Sequence, residues 1–139
     1  MVKTERIKVR TDGNCDVVNI SEQVNEVVSK SGIREGTATF FNIGSTGAIT
    51  TTEYEPGLAK YDIKAAFERV APRGGVYEHE RTWHDDNGHA HVRASLLGPS
   101  LSVPIVDGQL TVGTWQQIIL VDFDTRARTR TVICQIIGE

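Results

Sequence analysis

All four histidines of the chain, His79, His84, His89 and His91, fall within thirteen residues, with Glu78, Glu80, Asp85 and Asp86 among them. Imidazole titrates near neutrality and is the commonest protein ligand of divalent transition metals. A carboxylate can ligate the same ion or fix the imidazole tautomer from behind. His89-Ala90-His91, read as a strand, puts two rings at i and i+2 on one side of a sheet. The chemistry this suggests is coordination of a divalent cation, Mg²⁺ or Zn²⁺. The spacing matches no zincin, zinc-finger or deaminase signature, so a solvated polar loop is the competing reading.

Three further tracts could carry function. Gly44-Ser45-Thr46-Gly47 joins two strand-like segments. Its small residues admit a ligand to the backbone, and successive N–H groups with two hydroxyls could hold a phosphate or carboxylate. A tight turn is the plainer alternative: no Walker lysine follows and no nucleophile elbow surrounds Ser45. Glu53, after Thr50-Thr51-Thr52, is a strand-end carboxylate that matters only if the sheet brings it beside the histidines. Trp115 reads as core with its indole N–H satisfied, or as a stacking wall for an aromatic ring. Arg126, Arg128 and Arg130 share one face of a strand entry, a solvated edge that discourages aggregation or, second, an anion-binding edge.

The elements that must position these groups are those of one domain. The chain has 139 residues, within the ~100–200 of a typical domain. Strand is expected over Lys3–Arg10, then a turn at Asp12-Gly13-Asn14. A helix follows, capped by Asn19 or Ser21, with Glu22 completing a capping box and Ile20, Val24, Val27 and Val28 forming one apolar stripe up to Ser31-Gly32. Strands are expected over Gly36–Ile43 and Gly47–Thr52, and a second helix from about Leu58 to Val70 behind Pro56-Gly57. Val76–Ala90 shows no clean period, and everything after His91 reads as β. Asp107-Gly108 is the strongest hairpin signal, and Gln117–Phe123 should pair with Thr129–Ile137. The fold class expected is α+β: a single domain with a large, mainly antiparallel sheet and two helices packed on it.

Composition excludes several function classes. With 15 basic and 18 acidic side chains the net charge is −3, which removes the electrostatic case for nucleic-acid binding. No apolar run approaches the ~18 residues of a membrane span, and the charged Met1–Arg6 start has no signal-peptide core. Cys15 and Cys134, far apart and outside any CxxC pair, are expected to be reduced structural thiols of a cytoplasmic protein.

Several blocks together carry a resemblance: Ser45-Thr46-Gly47-Ala48-Ile49-Thr50-Thr51-Thr52-Glu53, Tyr77-Glu78-His79, Asp85-Asp86-Asn87-Gly88-His89-Ala90-His91, and Leu97-Gly98-Pro99-Ser100 through Gly113-Thr114-Trp115-Gln116. The chain resembles, over nearly its whole length, the YjbQ-like proteins, a family labelled uncharacterised or secondary thiamine-phosphate synthase. The resemblance implies an α+β fold, a homotrimer with sites near subunit boundaries, and His79, Asp86, His91, Glu53 and Trp115 as shared polar and aromatic positions. It implies little for His84 and His89. Many relatives carry histidine where this chain has Gly44. The activity implied is thiamine-phosphate synthase-like transfer between a pyrimidine diphosphate and a thiazole phosphate. Catalysis would rest on His79, His91, Glu53 and Asp86. Ser45, Thr46, Gly47, Asn87, Trp115 and Gln116 would bind a small, phosphorylated substrate, and His79, His91 and Asp86 would hold the metal. The alternatives are metal-assisted hydrolysis of a small metabolite and a non-catalytic trimeric metabolite-binding protein.

Overall fold

The computed structural model describes all 139 residues. The chain runs β1 (Val2–Thr11), β2 (Asp16–Asn19), α1 (Ser21–Ser31), β3 (Gly36–Ile43) and β4 (Gly47–Thr52). A π-helical turn (Leu58–Asp62) then leads into α2 (Ile63–Val70), followed by α3 (His79–Trp83), α4 (Gly88–Leu97), β5 (Ser100–Val106), β6 (Gln109–Leu110), β7 (Gln117–Asp122) and β8 (Arg128–Gly138). A five-stranded sheet has the order β1-β8-β3-β5-β6 and a three-stranded sheet the order β2-β7-β4, all pairs antiparallel. The class is α+β, as expected.

Period-two burial explains the layers. Along β8, Arg130, Val132, Cys134 and Ile136 point inward, and along β3 Ala38, Phe40 and Asn42 do the same. β7 is buried on both faces, and its alternate residues serve two cores. Ile118 and Leu120 join α1 (Val24, Val28) and the five-stranded sheet in one cluster, while Ile119, Val121 and Phe123 join Ala48, Ala59, Ala90 and Ala94 in the other. The order is therefore sheet, first core with α1, second sheet, second core, then α2 and α4. Phe67 of α2 stands edge-on to Phe123 at 4.8 Å between ring centres. The Arg93 side chain is buried in α4 and donates to the Ala71 carbonyl (2.9 Å) and to Glu68 Oε2 (2.7 Å), tying α4 to α2.

Several local expectations change. β7 and β8 do not pair with each other: β7 lies between β2 and β4, and β8 between β1 and β3. Residues after His91 are not all β, because Gly88–Leu97 is helical. Ala90, Ala94 and Leu97, at helical spacing, pack this segment on the second core. The α1 capping box does not form: Ile20 is the cap residue, Asn19 Oδ1 accepts from Ser21 N–H at 3.0 Å, and Ser21 Oγ accepts instead from Ile118 N–H of β7. Arg130 is no solvated edge. It is 5% exposed and bound bidentately to the fully buried Asp122, with Nε–Oδ2 and Nη2–Oδ1 both 2.7 Å.

Candidate metal centre

α3 is too short to be stable alone and depends on its neighbours. It ends at His84 in the left-handed region (φ 53°), and Asp86 is left-handed as well (φ 57°). Histidine and aspartate tolerate this conformation better than most residues. The two turns send the chain back, so that α4 starts against α3. Glu80 Oε1 of α3 accepts from the Gly88 N–H at 2.6 Å. Gly88 must be small: a Cβ there would lie 2.5 Å from the Tyr77 Cβ.

This reversal brings three donors together. The His79 and His91 rings are 4.5 Å apart between centres and tilted by 55°. His79 Nε2 lies 3.2 Å from Asp85 Oδ1 and 3.4 Å from Oδ2. One ligand atom from each of His79, Asp85 and His91 falls within a 4.8 Å cluster. Partial desolvation works against ionisation of Asp85, but the Asn87 N–H and His79 outweigh it and lower the carboxyl pKa. Both imidazoles are half-buried and Asp85 is exposed. The arrangement is a hydrogen-bonded His–Asp pair facing a second imidazole, with one side open to solvent. A tetrahedral ion with ~2.1 Å bonds spaces its donors ~3.4 Å apart, so small rotamer changes would let the three close on one cation.

The other proposed residues lie elsewhere. Asp86 is exposed and outside the cluster, because its left-handed backbone makes it the pivot of the reversal; the carboxylate brought to the imidazoles is that of Asp85. His89 and His91 are on a helix, not a strand, where two residues apart means about 200° around the axis. His89 is therefore turned inward, 2% exposed near Tyr77, and burial followed by the charges of Arg93 and Arg73 lowers its pKa. His84 is exposed at the α3 end.

Glu53 and Trp115 line a separate depression of about 380 Å³ with Asn19, Tyr54, Glu55 and Gln117. That depression sits where β4 ends and β7 begins, whereas Asn87, at the start of α4, bonds Thr125 beyond the far end of β7. The six residues of β7, at ~3.4 Å each, span about 20 Å between the two ends, so Glu53 does not stand beside the histidines.

The Gly44–Gly47 turn is closed on itself. Thr46 Oγ1 donates to Asp124 Oδ2 (2.9 Å) and accepts from Arg130 Nη2 (2.6 Å), and a Cβ on Gly47 would meet Asn42 Nδ2 at 2.8 Å. Of Ser45, Thr46 and Gly47, only Ser45 is exposed. Gln116 closes its own loop, accepting from the Gly113 N–H and donating to Thr51 Oγ1, each at 3.0 Å. Asn87 turns its side chain inward, where Oδ1 accepts from the Thr125 N–H at 3.2 Å. The sequence signal for Asp85 was the spacing Asp-x-Asn: a carboxylate that accepts from the N–H two residues on, here at 3.2 Å, marks a turn.

No helix is long and apolar enough to cross a membrane. The family model "UPF0047 protein YjbQ-like" matches residues 5–139. Among curated proteins, a UPF0047 protein of Methanothermobacter thermautotrophicus is 34% identical over 138 residues, covering 99% of this chain and 94% of the relative. YugU of Bacillus subtilis is 32% identical over 139 residues, covering 99% and 100%. The crystal structure of a YbjQ-like protein of unknown function from Sulfolobus solfataricus superposes with a TM-score of 0.94 at 36% identity, over 100% of this chain and 99% of that one. On both the sequence match and the shared fold, the chain belongs to the YjbQ (UPF0047) family.

Proposed function

We propose that His79, Asp85 and His91 hold a divalent cation and that this centre acts on a small metabolite. The observation that carries the reading is the gathering of two imidazoles and a carboxylate within 4.8 Å by the α3–α4 reversal. Two nitrogen donors and one carboxylate, with an open side, are the ligand set of catalytic rather than structural zinc sites. A bound ion would serve as Lewis acid, polarising a carbonyl or phosphoryl oxygen and stabilising the charge of a leaving group. The protein's own part is to hold the three donors within reach of one ion through the α3–α4 reversal, with Asp85 oriented by the Asn87 N–H. Metal-assisted hydrolysis of a phosphorylated or acyl metabolite follows most directly. Glu53 and Trp115 would reach such a centre only from another subunit, and that is what the homotrimer proposed for this family would supply in a cytosolic protein.

Metal titration tests the reading. The purified protein should take up one Zn²⁺ or Co²⁺ per chain, His79→Ala and His91→Ala should abolish uptake, and His84→Ala and Asp86→Asn should leave it unchanged. Equal uptake by His79→Ala and the parent would refute the assignment. Loaded protein would then be offered p-nitrophenyl phosphate, p-nitrophenyl acetate and the two halves of thiamine phosphate, and sedimentation would give the subunit number.

A further inference from the structure

We infer that Asn87 is the positioning residue of this centre, acting through Asp85 and His91 while being anchored to a buried charge network at the end of β7. The inference rests on the metal reading above. Asn87 is the residue before α4, but it does not cap its own helix with its side chain. Its three groups serve three different partners. The backbone N–H donates to Asp85 Oδ1 at 3.2 Å, orienting the carboxylate that faces His79. The carbonyl accepts from the His91 N–H at 3.1 Å, the first helical bond to reach the second imidazole. The side-chain oxygen accepts from Thr125 N–H at 3.2 Å, and the amide faces Asp124. At 7% exposure Asn87 is buried, directly after the exposed Asp85 and Asp86.

The anchor is well fixed. Asp124 is fully buried; it accepts from Thr46 Oγ1 (2.9 Å) and Arg128 Nε (2.8 Å), and its own N–H donates to Asp122 Oδ1 (3.0 Å). Asp122 in turn holds Arg130 and the Thr11 hydroxyl. The left-handed His84 and Asp86 leave the 84–87 reversal without regular backbone pairing of its own, so the rigid end of β7 sets where it lies. Asn87 is the link between that rigid end and the ligands Asp85 and His91, and no other residue contacts both sides through hydrogen bonds.

Outer-sphere partners of metal ligands typically change affinity 10–100-fold when removed. Asn87→Ala should therefore weaken Co²⁺ and Zn²⁺ binding by about 10–100-fold and broaden or shift the visible Co²⁺ bands. A merely structural role would lower the melting temperature and leave both unmoved. Asn87→Asp guards against a folding failure. It is isosteric and can still accept from Thr125, but it sets a carboxylate against Asp124; binding should fall and should recover when Asp124→Asn is added. A folded Asn87→Ala or Asn87→Asp protein with the parent's affinity and Co²⁺ spectrum would overturn the proposal. If the parent binds no metal, the metal reading fails separately, and amide exchange still tests the positioning. The His91 N–H should exchange at least ~10-fold faster in Asn87→Ala, and an unchanged rate would refute the link.

Discussion

Replacing Arg130 with alanine should destabilise the fold severely. Arg130 is 5% exposed and Asp122 fully buried, and the pair is joined by two parallel bonds of 2.7 Å. Removing the guanidinium leaves Asp122 with the Thr11 hydroxyl and the Asp124 N–H as its remaining donors, neither of them charged. It also removes the Nη2 bond to Thr46. An ion pair broken on one side in the interior costs about 3–5 kcal/mol, against a total stability of about 5–15 kcal/mol for a domain. With a urea slope of ~2 kcal/mol/M, the unfolding midpoint should fall by about 2 M. Equilibrium urea unfolding followed by far-UV circular dichroism measures this directly. Arg130→Met combined with Asp122→Asn removes the stranded charge, keeps Oδ1 as acceptor for the Asp124 N–H and lets the amide donate to the Thr11 hydroxyl oxygen, and should recover a large part of the loss. A single-variant change below ~1 kcal/mol at unchanged slope would mean that the pair behaves as a solvated surface pair, and the reasoning from burial would be wrong.

Asp124 sets part of the acid limit. Burial opposes its ionisation, but the bonds from Thr46 and Asn87 and the charge of Arg128 bring its folded pKa below the ordinary 3.8. Its contribution is thus present above the unfolded pKa and lost as pH falls through the folded one; below pH ~4 the parent should lose stability more steeply than Asp124→Asn. The two thiols should be inert in the native state. Cys15 and Cys134 are buried, and desolvation pushes both pKa values up to about 11, so Ellman's reagent at pH 8 should detect them only after unfolding. Early labelling of either would contradict their burial. Gly88→Ala forces a Cβ to 2.5 Å from the Tyr77 Cβ, and should cost about 1–3 kcal/mol while loosening α4 from α3. A melting temperature equal to the parent's would show that this contact relaxes freely.

Much of the architecture was readable from local pattern alone. The 3.6-residue stripe of α1, the alternation along β3, the helix behind Pro56-Gly57 and the Asp107-Gly108 hairpin all follow from bonds and contacts between near neighbours. The hairpin turn does carry φ values of 52° and 79°. The clustering of histidines likewise pointed to the stretch of chain in which His79, Asp85 and His91 come together, because residue type is visible in composition. Tertiary structure decided the rest. Whether His89-Ala90-His91 is strand or helix depended on the second core that accepts Ala90, Ala94 and Leu97, which lies on strands distant in sequence. That choice separated His89 from His91 and paired His91 with His79. Asp85 rather than Asp86 became the nearby carboxylate because only one of two adjacent residues can point along a left-handed reversal. Arg130 and Asp122 were invisible as a pair, since charge looks solvated until the strands that enclose it are assembled. Short-range sterics and periodicity are written in neighbouring residues, whereas burial and the meeting of side chains from different elements exist only once the layers close.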